Sequence, residues 1–119
     1  MSFRLTFLVV LVALASGCGG SAPVTTPSSG SPGGPSVSIV SGASGLTTTA
    51  YSPNPLTVSR GSTVTFINND AVVHTATGGG FDTSLIAPGA RASVTFQNAG
   101  SITYRCTIHP GMTGTITVQ

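Results

Sequence analysis

The sequence predicts an all-β domain, a sandwich or barrel, on three observations. Short runs alternate apolar and polar residues with a period of two. β-Branched residues dominate those runs, and Gly, Pro and Asn separate them at regular intervals. From Ser36 onward no stretch carries the 3.6-residue apolar stripe of a surface helix.

Two segments precede the strands. Residues 1–18 read as a secretion leader: Arg4 gives the positive start, Leu5 and Phe7 to Leu14 the apolar run, and Ala15, Ser16 and Gly17 the small residues. The run is shorter than the ~20 residues of a membrane span. Its end, Leu14-Ala15-Ser16-Gly17-Cys18, resembles a bacterial lipoprotein lipobox, which implies acylation of Cys18 and a lipid anchor on the outer face of a membrane, in the periplasm or at the cell surface. Residues 19–35 contain only Gly, Ser, Thr, Ala and Pro apart from Val24. Such a linker buries too little apolar surface to offset its ordering entropy. As a flexible coil it reaches about 20–25 Å.

The folded domain is expected over residues 36–119. Ser36–Val40 supplies the first strand, and Leu56 with Val58 a second run. Arg60-Gly61 turns the chain into Thr63–Phe66, with Val64 and Phe66 on one face. Pro88-Gly89 precedes Ser93–Phe96, Ala99-Gly100 precedes Ile102–Cys106, and Thr115–Val118 closes the chain. The run Gly78-Gly79-Gly80 reads as a flexible turn; with no Lys and no following helix it is not a phosphate cradle. Alternation places Ile102, Tyr104 and Cys106 on one inward face and Arg105 on the other.

Composition excludes several classes of function. The chain has four Arg, two Asp and no Lys, Glu or Trp in 119 residues. Three scattered cations in the domain cannot supply the phosphate contacts that nucleic-acid binding needs. Ser-His-Asp catalysis from Asp70 and His74 lacks any nucleophile-elbow motif.

One constellation carries chemistry. With Cys18 lipidated, Cys106 is the only thiol left, so no intrachain disulfide forms. His74 and His109 are the only histidines, and Met112 is the only methionine after the initiator. Cys106, His109 and Met112 fall within seven positions. Two imidazoles and a thiolate, with a weak axial thioether, form the donor set of a blue-copper centre. Zinc is the competing metal, although structural zinc sites use four strong ligands.

Residues 51–119 resemble a cupredoxin of the plastocyanin, amicyanin and pseudoazurin group. The matching features are Asn68-Asn69-Asp70 before His74, Phe81-Asp82 after the Gly run, Ala87-Pro88-Gly89, and Tyr104-x-Cys106-x-x-His109-x-x-Met112 followed by Gly-Thr-Ile-Thr-Val. The resemblance implies a Greek-key cupredoxin sandwich or barrel. It also implies one type 1 copper with His74, Cys106 and His109 equatorial and Met112 axial. Two positions depart from the pattern. Thr75 stands where many members have Asn, and its N–H and hydroxyl are expected to brace the two ligand loops. Ile108 stands where Pro often precedes the second His.

The expected function is electron transfer between extracytoplasmic redox proteins, by a monomer cycling Cu(II) and Cu(I) without enzymatic activity. Copper carriage on the same fold is the alternative, and a metal-free adhesive sandwich a third class. Val72, Val73, Ile108, Pro110 and Gly111 flank the two histidines. They form either a docking collar for transient redox partners or simple loop packing.

Overall fold

The computed structural model describes residues 33–119. The leader, its lipobox Cys18 and most of the linker lie outside the described residues. The linker's last residue is already engaged, because the Pro35 carbonyl accepts the Thr65 N–H at 3.0 Å.

Nine strands follow in chain order: β1 Ser36–Ile39, β2 Tyr51–Ser52, β3 Leu56–Val58, β4 Ser62–Asn68, β5 Thr77–Gly78, β6 Phe81–Asp82, β7 Arg91–Phe96, β8 Gly100–Arg105 and β9 Thr113–Val118. One sheet has the order β2-β1-β4-β7 and the other β3-β9-β8-β5-β6. The pairs β1–β4 and β3–β9 are parallel, and the other strand pairs are antiparallel. The chain crosses repeatedly between the sheets, giving a sandwich of two mixed sheets with one 3₁₀ turn, Ala43–Gly45. No helix among the described residues is long and apolar enough to cross a membrane.

The period-two reading holds strand by strand. Val37 and Ile39 of β1, Val64, Phe66 and Asn68 of β4, and Gly114, Ile116 and Val118 of β9 are buried, while their neighbours are not. Tyr104 is the hub of the core. Its ring meets Tyr51 edge-on at 4.8 Å, Phe66 at 5.5 Å and Phe81 at 5.8 Å between centroids. Such tilted contacts add to the burial itself. Room for that ring comes from its cross-strand partner Gly114, where a Cβ would lie 2.4 Å from the Tyr104 hydroxyl.

The Gly78–Gly80 run is a turn, but a tightly packed one. Gly79 and Gly80 have φ of 54° and 89° and close the β5–β6 hairpin. A Cβ on Gly79 would sit 2.2 Å from Ile102 Cγ2, and one on Gly78 would sit 2.5 Å from the Thr103 carbonyl. Gly78 and Gly79 let the hairpin lie against β8, while Gly80 serves the turn through its positive φ.

Candidate metal centre

Two loops meet at one end of the sandwich. The first, residues 69–76, follows β4; the second, residues 106–112, joins β8 to β9. Cys106 continues the inward face of β8 and is fully buried, as alternation requires. The second loop folds back through two backbone bonds: Met112 N–H to the His109 carbonyl at 3.0 Å, and Cys106 N–H to the Met112 carbonyl at 3.1 Å. This turns Cys106 and His109 towards one point, and Met112, fully buried, closes the loop.

The first loop is knitted by polar side chains. Asn68 Nδ2 donates to the carbonyls of Val72 and Ile86, both at 2.8 Å, and Asn68 Oδ1 accepts the Asp70 N–H at 2.9 Å. His74 pairs through its backbone with Ile86 in both directions, at 3.2 and 2.8 Å. Its ring is fully buried, and Nε2 lies 2.7 Å from Asp70 Oδ2. A carboxylate only accepts, so Nε2 carries the proton and the lone pair of Nδ1 faces the second loop.

The donor atoms converge. Cys106 Sγ is 3.8 Å from His74 Nδ1 and 3.9 Å from His109 Nδ1, and the two nitrogens are 3.2 Å apart. Metal bonds of about 2.0–2.3 Å at 120° would separate such donors by about 3.5–3.8 Å. The triangle therefore fits one trigonal metal with little rearrangement. Two imidazoles and a thiol, with the buried Met112 closing the same loop, make a donor set that suits a type 1 copper.

Electrostatics prepare the ligands. Burial alone would push the Cys106 thiol up, but hydrogen bonds to the sulfur outweigh it and bring it from 9.0 to about 6. The largest comes from the Thr75 backbone N–H, 3.3 Å from Sγ; others come from the His109 and Ile108 backbone. The thiolate form that metal binding needs is thereby favoured. Asp70 is held down at about 2, first by the His74 ring and then by the Gly42 N–H, against the opposing effect of burial.

Thr75 sits between the loops with both of its groups in use. Its N–H reaches Cys106 Sγ, and its hydroxyl oxygen accepts the Thr107 N–H at 3.0 Å. The same hydroxyl lies 3.2 Å from the Thr107 hydroxyl and 3.1 Å from that of Thr77, which also donates to Asp82 at 2.9 Å. Tyr51 donates its hydroxyl to the Thr75 carbonyl.

His109 is half-buried, and around it the surface is apolar. Val72 is 42% exposed and Ile108 43%, Pro110 and Gly111 are exposed, and Val73 is half-buried. Leu85, not singled out from the sequence, is 67% exposed next to Ile86. Asp70, named in the sequence as part of the matching loop, was not read there as the partner of the His74 ring. The signal that was present is its position four residues before His74.

Residues 75–119 match the family of copper binding proteins, plastocyanin/azurin family. Among solved structures, the chain resembles a novel purple cupredoxin from Nitrosopumilus maritimus, at 29% identity over 71% of this chain and 99% of that one, with a TM-score of 0.67. It also resembles a mutant of amicyanin in its Cu(I) form, at 28% identity over 76% of this chain and 87% of that one, with a TM-score of 0.65. An amicyanin mutant in the oxidised state gives 28% identity over the same shares and a TM-score of 0.63. No curated protein matches the chain. The domain is a cupredoxin in fold. Within that class its C-terminal part carries the plastocyanin/azurin copper-binding pattern, to which the structure adds His74, one residue before the matched segment.

Proposed function

We propose that this domain is a one-electron carrier that cycles a single type 1 copper between Cu(II) and Cu(I). His74, Cys106 and His109 would serve as the strong ligands and Met112 as a weak thioether ligand. The observation that carries the reading is the donor triangle, at 3.2, 3.8 and 3.9 Å. Ligands held in place by the two hydrogen-bonded loops need little reorganisation when the charge of the centre changes, and that favours fast electron exchange. Copper supplies the redox change; the chain supplies the thiolate, the oriented imidazoles and a shell that excludes water.

With His74, Cys106, His109 and Met112 as ligands no position would be left for a substrate, which argues for a carrier, not an enzyme. The half-buried His109 ring, within the collar of Val72, Val73, Ile108, Pro110 and Gly111, is the proposed exit for the electron. Leu85 extends that apolar rim, and partners would dock there transiently as monomer to monomer. An extracytoplasmic location with a tether through Cys18 belongs to the same proposal. It rests on residues 1–18, and membrane fractionation of the full chain tests it.

The test is a visible spectrum of the full chain loaded with Cu(II) and freed of excess metal. An intense thiolate-to-copper band, bleached by mild reductant and restored by oxidant, is expected, and Cys106→Ser abolishes it. A folded, colourless protein without copper refutes the reading. A colourless protein that holds Cu(I) and yields it readily to a chelator replaces it with copper carriage.

A further inference from the structure

The two imidazoles of the centre are not equivalent. His74 is fully buried, and its Nε2 meets a carboxylate at 2.7 Å. Among the described residues, His109 has no hydrogen-bond partner on Nε2, and its ring is half-buried. Asp70 is only 8% exposed. Its second oxygen, Oδ1, accepts the Gly42 N–H at 2.9 Å and the Ala71 N–H at 2.8 Å. Both carboxylate oxygens are thus clamped, and the charge is kept from bulk water.

Holding the His74 ring requires much less than this. A neutral backbone carbonyl on Nε2–H would select the same tautomer. What a carboxylate adds is a full negative charge, directed through the ring towards Nδ1. Away from water that charge is weakly screened. Cu(II) carries one more positive charge than Cu(I), so a fixed anion close to the centre stabilises the oxidised state more.

We propose that Asp70 sets the reduction potential of the centre: its carboxylate, bonded to His74 Nε2–H, biases the bound copper towards Cu(II). This rests on the copper reading above, and it goes beyond that reading by giving a role to a residue that is not a ligand. Asp70 is a positioning and charge-supplying residue that acts through His74. The single-electron step is copper's own, Cu(II) plus one electron giving Cu(I), with a redox partner as the donor.

The test compares the full chain with Asp70→Asn and Asp70→Glu. Affinities for Cu(II) and Cu(I) are measured separately by chelator competition with the metal alone. In Asp70→Asn the ratio of Cu(II) to Cu(I) affinity is expected to fall about tenfold, equivalent to a rise in potential of about 59 mV for one electron. Asp70→Glu, which retains the charge, is expected to stay within about threefold of the unaltered chain. No change in Asp70→Asn, or an equal change in both variants, overturns the proposal. A measurement free of variants and metal accompanies it: the ring ¹H–¹⁵N spectrum of the metal-free chain should show a strongly deshielded, slowly exchanging His74 Nε2 proton. Its absence also overturns the proposal. If the unaltered chain takes up neither copper state, the copper reading fails, whereas the ring-proton result reports on the Asp70–His74 pair independently.

Discussion

Cys106 shows how a buried group can be made reactive by its hydrogen bonds. Its sulfur is removed from water, which by itself disfavours the thiolate, yet donors from both loops bring the thiol down to about 6. In the unfolded chain the thiol returns to about 9.0. Between these values the unfolded metal-free chain binds a proton that the folded one does not. Its stability should therefore rise with pH from about 6 to about 9, be complete above that window, and be lost as pH falls through 6. Urea midpoints of the metal-free chain at several pH values check this; a flat profile, or one unchanged by Cys106→Ser, refutes it. The ligand residues were legible in the sequence because they are nearly all the soft and imidazole donors the domain has. The clamp on Asp70 was not legible, since its partners Gly42, Ala71 and His74 meet only when the first loop folds beside the Ala43–Gly45 turn.

At the scale of elements, legibility followed length. Strands β1, β4, β7, β8 and β9 each span four to seven residues, enough for alternation to show. Strands β2, β5 and β6 have two residues each, and two residues have no period. Their positions come from neighbours: β5 pairs with β8 through Thr77 and Arg105, and Gly78 accepts the close approach of the β8 backbone. Gly114 in β9 is a stricter case. It lies under the Tyr104 ring, which is itself enclosed by Tyr51, Phe66 and Phe81. Gly114→Ala should therefore cost about 1–3 kcal/mol from overpacking. Because β8 leads directly into Cys106, the same change should also perturb the copper band. Chemical denaturation and the visible spectrum measure the two effects, and an unchanged midpoint would show that Tyr104 relocates freely.

The whole molecule solvates itself almost without charge. The outer faces of β4 and β7 meet through paired hydroxyls, Thr63 with Thr95 at 2.8 Å and Thr65 with Ser93 at 3.1 Å. Of the two aspartates, Asp70 is withdrawn into the interior, which leaves Asp82 with Arg60, Arg91 and Arg105 as the exposed charges of the described domain. None of the four lies among the residues of the apolar rim around His109, namely Val72, Val73, Leu85, Ile108, Pro110 and Gly111. Electrostatic steering raises association rates when complementary fields reach across the encounter, and salt removes that gain. Here the rim residues themselves carry no charge with which to project such a field, so encounter at the rim depends on apolar contact. The rate of electron exchange with a redox partner should accordingly change by less than about threefold between low and physiological ionic strength, where a steered pair loses tenfold or more. Stopped-flow kinetics over a salt series, repeated with an acidic and a basic partner, make the comparison. Ile108→Asp would then supply what the surface lacks: it should slow exchange at all salt concentrations by disturbing the apolar contact, and introduce a salt dependence whose sign follows the partner's charge. A steep dependence in the unaltered chain would place the docking surface away from this rim, nearer the exposed arginines.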